Sequence, residues 1–130
     1  WRAAKDILPT KVNLHRRRVI DSPLCPICQS EPETTSHALW TCSAAQDVWC
    51  NNTRKLQKCR VVEAPFSIIL EQLLSSLPEE EHQALAFTTK QLWSRRNKWI
   101  FEAQFSSPQQ VFNLVSTCIS DLNTTRSPQK

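Results

Sequence analysis

The chain has 130 residues, 40% hydrophobic and 22% charged, which gives room for one modest domain, or a small domain with an appended helical segment, and excludes wholesale disorder. With no Gly where about 7% is usual, it lacks the tight-turn residues of a hairpin-rich β-fold, and no apolar run approaches the roughly 18 residues of a membrane span. A net charge of +4 suits an anionic partner such as nucleic acid and equally a mildly basic soluble surface, and the absence of Met leads us to expect a piece of a longer product.

In chain order, Thr10 is an acceptable N-cap for a short helix through KVNLHRRR. Ser43 and Gln46 have capping-box spacing, and Ala45, Val48, Trp49, Asn52 and Leu56 follow at helical intervals, which predicts a helix over 44–58. FSIILEQLLSSL, residues 66–77, predicts a buried helix. Pro78 with Glu79, Glu80 and Glu81 behind it has the chemistry of a helix start. Leu85, Leu92 and Trp99, with Thr89, Trp93, Arg96 and Ile100 interleaved, then form one face of a long helix to about residue 105. Ser107-Pro108-Gln109-Gln110 repeats the cap logic before a last amphipathic helix carrying Val111, Leu114, Val115, Cys118, Ile119 and Leu122. The tail NTTRSPQK is expected to fray. The fold class is mainly α.

The chemistry is concentrated in CPICQSEPETTSHALWTC, residues 25–42. Cys25 and Cys28 form a C-x2-C, His37 follows, and Cys42 stands five residues beyond it. Two ligands on a knuckle and two about a helical turn apart are what a tetrahedral zinc site asks for. Residues i and i+5 do not share an α-helical face, so the helix bearing His37 is expected to end near Trp40, with Ser43 capping the next one. Four protein ligands would close the coordination sphere, which makes the site structural.

Three rivals stand beside zinc. An even count of six Cys and two N-x-T sequons, at Asn51 and Asn123, fit a secreted disulfide protein, but that reading leaves His37 unexplained. A CPIC redox pair would need a βαβ context that the chain lacks. Inert buried cysteine is the reading for Cys50, Cys59 and Cys118. His15 and His82 sit at no ligand spacing and read as surface or interface residues. No phosphate-cradling glycine loop or Ser/His/Asp set is present.

The basic residues lie with the cluster. Residues 1–60 carry ten Lys/Arg against five Asp/Glu, and residues 61–130 carry six against seven, the excess residing mostly in Lys11, Arg16, Arg17, Arg18, Arg54, Lys55, Lys58 and Arg60. Lys11, Arg16, Arg17 and Arg18, on a helix beside the knuckle, are candidate phosphate contacts; the bland reading is a solvated helix face. Trp40 is a candidate stacking platform, with core packing around a small metal site as its alternative.

Leu8-Pro9-Thr10, Asn13-Leu14, Arg17-Arg18, Cys25-Pro26-Ile27-Cys28, Glu33-Thr34, His37-Ala38-Leu39-Trp40, Cys42 and Val48-Trp49 follow in an order that resembles the zinc-binding domain found after the reverse transcriptase in plant non-long-terminal-repeat retrotransposons. Trp93, Arg96-Asn97 and Phe101 resemble the segment that in this family leads toward a ribonuclease H domain. The resemblance implies one structural zinc ion held by Cys25, Cys28, His37 and Cys42, RNA or DNA as partner, neighbouring polymerase or ribonuclease H domains, no membrane, and a nuclear location. It departs from the family where Val19 and Gln29 stand in place of glycines, which bears on turn geometry and not on the ligands. Trp1-Arg2 resembles the middle of the family domain, so its N-terminal part is expected to be missing here. No YxDD polymerase motif is possible without Tyr, and the ribonuclease H acidic set is absent, so the chain itself reads as non-enzymatic. The expected organisation is a CCHC zinc-binding domain over 1–60, a helical segment over 61–125 and a disordered tail over 126–130. The expected function is nucleic-acid binding, the alternative a structural linker whose docking face is Trp93, Trp99, Phe101 and Phe105.

Overall fold

The computed structural model describes residues 7–52 and 64–126. The expected domain boundary at 60/61, the expected helical residues 53–58, Cys59, Arg54, Lys55, Lys58, Arg60 and the last four residues lie outside them. The secondary-structure elements among the described residues are all helices, apart from one isolated antiparallel bridge between Leu24 and Pro32.

Helix α1 spans Lys11–Arg16, and the Thr10 side chain accepts the Asn13 N–H, as its N-cap position predicts. It is shorter than expected. Arg17 is its C-cap and Arg18 has φ 60, with the Val19 N–H returning to the Leu14 carbonyl and the Arg18 N–H to His15. This is a Schellman ending, made without glycine. Gln29, in place of the other family glycine, also takes a left-handed conformation, φ 56, so the chain keeps that turn at the steric expense of a Cβ.

A π turn follows over His37–Thr41, then α2 over Ser43–Asn52. The expected Ser43/Gln46 capping box does not form. Ser43 is already helical and Cys42 occupies the cap position, its carbonyl accepting the Gln46 N–H at 2.9 Å. Helix α3, Phe66–Ser76, buries Phe66, Ile69 and Leu73 but leaves Ile68 and Leu74 exposed, so it is amphipathic rather than buried all round. Glu79–Glu81 form a 3-10 turn that leads into α4, His82–Glu102. Helix α4 ends at Ala103, φ 54, whose N–H returns to Lys98 and Trp99, three residues short of the expected 105. The Ser107/Gln110 capping box does form, each side chain accepting the other's backbone N–H, and opens α5, Pro108–Arg126. The first four residues of the expected tail, 123–126, continue the helix. Leu114, expected on its apolar face, is exposed.

Helix α5 packs against both α4 and α2, and the π turn packs against α2 and α4. One buried cluster results. It runs from Leu8, Cys25, Leu39 and Cys42 through Val48 and Trp49 to Leu85, Leu92, Val111 and Val115. The metal-ligand candidates therefore sit in the same core as the downstream helices. Among the described residues no helix is long and apolar enough to cross a membrane.

Candidate metal centre

The knuckle is built by backbone hydrogen bonds. The Cys25 N–H donates to the Glu31 carbonyl at 2.8 Å, and the Gln29 N–H donates to the Cys25 carbonyl at 3.0 Å, closing the turn across Pro26 and Ile27. The Ile27 N–H also points at Cys25 Sγ, 3.4 Å away. Amide donors aimed at a sulfur favour its thiolate, the form that binds metal.

His37 is positioned by a cap and a π turn. Thr34 Oγ1 accepts the His37 N–H at 3.0 Å, and the Cys42 N–H donates to the His37 carbonyl at 2.9 Å, an i+5 bond. Widening the turn by one residue brings positions five apart onto one side, which the α-helical period does not. The helix bearing His37 thus ends at Thr41, close to the expected Trp40, but as a π turn and not as the end of an α-helix. The carbonyls of Leu39 and Trp40 then take side-chain donors: Trp49 Nε1 at 2.8 Å and Gln46 Nε2. Sequence reasoning missed this, because the signal for a π turn is the ligand spacing itself.

Cys25, Cys28, His37 and Cys42 consequently lie together, with one donor atom from each within 4.8 Å of the others, close enough to hold one metal ion. Cys25 and Cys42 are almost fully buried. Cys28 Sγ lies 3.3 Å from His37 Nε2, while His37 Nδ1 faces Thr41 Oγ1, also at 3.3 Å. A metal at Nε2 would leave Nδ1–H to donate to Thr41, which fixes the ring's tautomer and plane. Three thiols and an imidazole are the donor set of a structural zinc site, and the donors fit that ion. No disulfide links the five described cysteines Cys25, Cys28, Cys42, Cys50 and Cys118, so the disulfide framework does not form among them.

Protons hold this cluster together when no metal does. The hydrogen bond with Cys25 lowers the Cys42 thiol to about 7, helped by the Ala44 and Ala45 N–H groups at the start of α2. The same bond, with burial, pushes Cys25 up to about 12. His37 is raised to about 9, chiefly by its hydrogen bond to Cys25 and against the effect of burial. A raised His37 contributes stability to the metal-free fold below pH 6.5 that is lost as pH climbs through about 9. At neutral pH both His37 and Cys25 hold protons that an incoming ion must displace. Zinc affinity is therefore expected to keep rising with pH past the ordinary histidine range, through about 9 where His37 gives up its proton and beyond it where Cys25 still holds one. Zinc titration calorimetry in buffers of different ionisation enthalpy checks this: one proton should leave from each of these two groups near neutral pH.

The other candidates divide. Lys11 opens α1 and is half-buried, Arg16 is its last residue, and Arg17 and Arg18 lie beyond its end, so the three arginines are not one helix face. They are exposed, and among the described residues no carboxylate pairs with them. His15, Arg16 and Arg18 line a cleft with Ile20 and Asp21. Trp40 is only 3% exposed, its ring 5.5 Å from that of Trp49, so it offers no free face to a base. The stacking expectation is corrected in favour of core packing beside the metal ligands. His82, read as a surface or interface residue, sets its Nε2 3.0 Å from the Leu74 carbonyl and 3.2 Å from that of Leu77, at the end of α3.

Glu33 and Arg96 are the residues sequence reasoning left without a role. Glu33 is fully buried at 0% exposure and Arg96 is 4% exposed. Arg96 Nε reaches Glu33 Oε2 at 2.9 Å and its NH2 reaches Oε1 at 2.7 Å, a bidentate pair across 63 residues. Glu33 Oε1 also accepts the Lys11 N–H at 2.8 Å. The guanidinium lies 4.5 Å from the Trp93 ring centroid. One carboxylate thus ties α1, the ligand loop and α4 together.

Fold and site define a helical protein with a Cys3His centre able to hold one metal ion. Residues 1–49, which include all four ligand candidates, match the model of a family described as zinc-binding in reverse transcriptase. Neither the curated proteins nor the solved structures contain a match to the chain.

Proposed function

We propose that the chain is the zinc-stabilised nucleic-acid-binding module of a retrotransposon reverse transcriptase polyprotein, engaging RNA or target DNA. The observation that carries the reading is the convergence of Cys25, Cys28, His37 and Cys42 within the segment that matches the zinc-binding family. Zinc would act as a structural ion, with no catalytic position left open. Arg16, Arg17 and Arg18, exposed and without a carboxylate partner among the described residues, support the nucleic-acid part, because α1 is fastened to the ligand loop by Glu33 and holds them beside it. In this reading the parent polyprotein is a plant element's RNA-directed DNA polymerase, with a ribonuclease H domain downstream, working in the nucleus. The chain itself performs no reaction. It spans residues 1–60 as the zinc-binding part and 61–125 as the helical part that leads onward.

Replacing Arg16, Arg17 and Arg18 together by Ala is expected to weaken binding of single-stranded RNA and to flatten the dependence of log affinity on log salt by about 0.7 for each phosphate no longer neutralised. Fluorescence anisotropy over a salt series measures both. An unchanged slope removes these arginines from the interface. It would favour the second reading, a non-catalytic scaffold between polymerase and nuclease domains, to which Phe101, 79% exposed, and its exposed neighbours Trp99 and Phe105 lend an aromatic docking face.

A further inference from the structure

The family match ends at residue 49, yet three side chains of α4 each grip a different part of the metal centre. Trp99 Nε1 donates to the carbonyl of Pro26, inside the CPIC knuckle, at 3.0 Å. Arg96 holds Glu33, between the knuckle and His37, at 2.7 and 2.9 Å. Arg95 NH2 donates at 3.0 Å to the carbonyl of Ala44, whose own N–H supports Cys42, and Arg95 NH1 donates to the Ser106 carbonyl at 3.2 Å. Phe105 completes the clamp, with its ring 4.1 Å from the Arg95 guanidinium and 6.1 Å from Trp99. The ligands come from the knuckle, the π turn and the start of α2. Helix α4 braces all of that stretch.

We infer that Arg95, Arg96 and Trp99 are positioning residues of the metal centre, so that the metal-binding unit extends through α4 and metal occupancy is coupled to this helix. The inference rests on the reading that Cys25, Cys28, His37 and Cys42 hold zinc. Outer groups that fix ligand-bearing segments set how little the metal must reorganise them on binding. Coupling of this kind is reciprocal: if α4 raises metal affinity, metal steadies α4. The helix is then the route by which a domain attached downstream would sense a loaded or empty centre.

The test uses the full chain, reduced, with cobalt(II) as the optical probe. Trp99→Phe removes the hydrogen bond to Pro26 at an exposed position and keeps an aromatic ring beside Phe105. Its cobalt dissociation constant is expected to rise about tenfold, in line with outer-partner substitutions at metal sites, while the unfolding midpoint of the metal-free protein stays where it was. Lys98→Ala, at an exposed position on the same helix, leaves both unchanged. In the unaltered chain, zinc is expected to slow amide hydrogen exchange across α4. Equal cobalt affinity in Trp99→Phe, or a loss matched by an equal fall in metal-free stability, overturns the inference. Exchange in α4 that is indifferent to zinc overturns it as well. Absence of thiolate-to-cobalt bands in the unaltered chain is a different outcome: it strikes the metal reading itself.

Discussion

Cys42→Ala is expected to leave a chain that no longer retains zinc through purification and that loses much of its helical signal. Structural zinc in small domains is worth about 10–16 kcal/mol, so one of four ligands accounts for roughly 3 kcal/mol and its loss for at least about a hundredfold in affinity. Cys42 is the most demanding of the four to replace, because its sulfur also takes the Ala44 and Ala45 N–H groups at the start of α2. Removing it orphans those donors as well as the ion. Metal analysis and circular dichroism with and without chelator provide the check. The unaltered chain should bind one zinc and lose helix on chelation, while Cys50→Ala, at an exposed position away from the cluster, should behave like it. A Cys42→Ala chain that keeps its zinc would take Cys42 out of the coordination sphere.

Arg96→Met should cost about 3–5 kcal/mol, because it leaves the Glu33 carboxylate buried with the Lys11 N–H and no counter-charge. Against a total of about 5–15 kcal/mol for a domain, that is enough to lower the urea midpoint sharply. The double variant Glu33→Gln/Arg96→Met is expected to be less damaging than the sum of its parts. Gln keeps an acceptor for Lys11 and removes the stranded charge. Additive losses in the double-mutant cycle would mean that the two residues act independently, against the bidentate geometry.

How much of this was legible in the sequence follows the range of each interaction. The gathering of the four candidate ligands could be read because Cys25, Cys28, His37 and Cys42 fall within eighteen consecutive residues, where spacing alone limits the geometry. The Ser107/Gln110 cap and the Thr10 cap were legible for the same reason, since capping is decided within one helical turn. The Ser43/Gln46 box had the same spacing and failed. There the π turn moved the cap to Cys42 and gave Gln46 a better partner in the Trp40 carbonyl, left open by the wider turn. Trp40 illustrates the opposite limit. Its place in the motif suited either a stacking ring or a core ring, and only the approach of Trp49 decided between them.

By itself, then, the sequence determined that the chain is helical, where most helices begin and which four residues gather for a metal, because periodicity, capping and ligand spacing act over a few residues. Only the tertiary structure decided that Glu33 meets Arg96, that Trp99 reaches Pro26 and that the arginines at the end of α1 stand free of carboxylates among the described residues. Those contacts join positions as many as 73 residues apart, and nothing local marks which buried charge will find which partner until the helices have packed around one core.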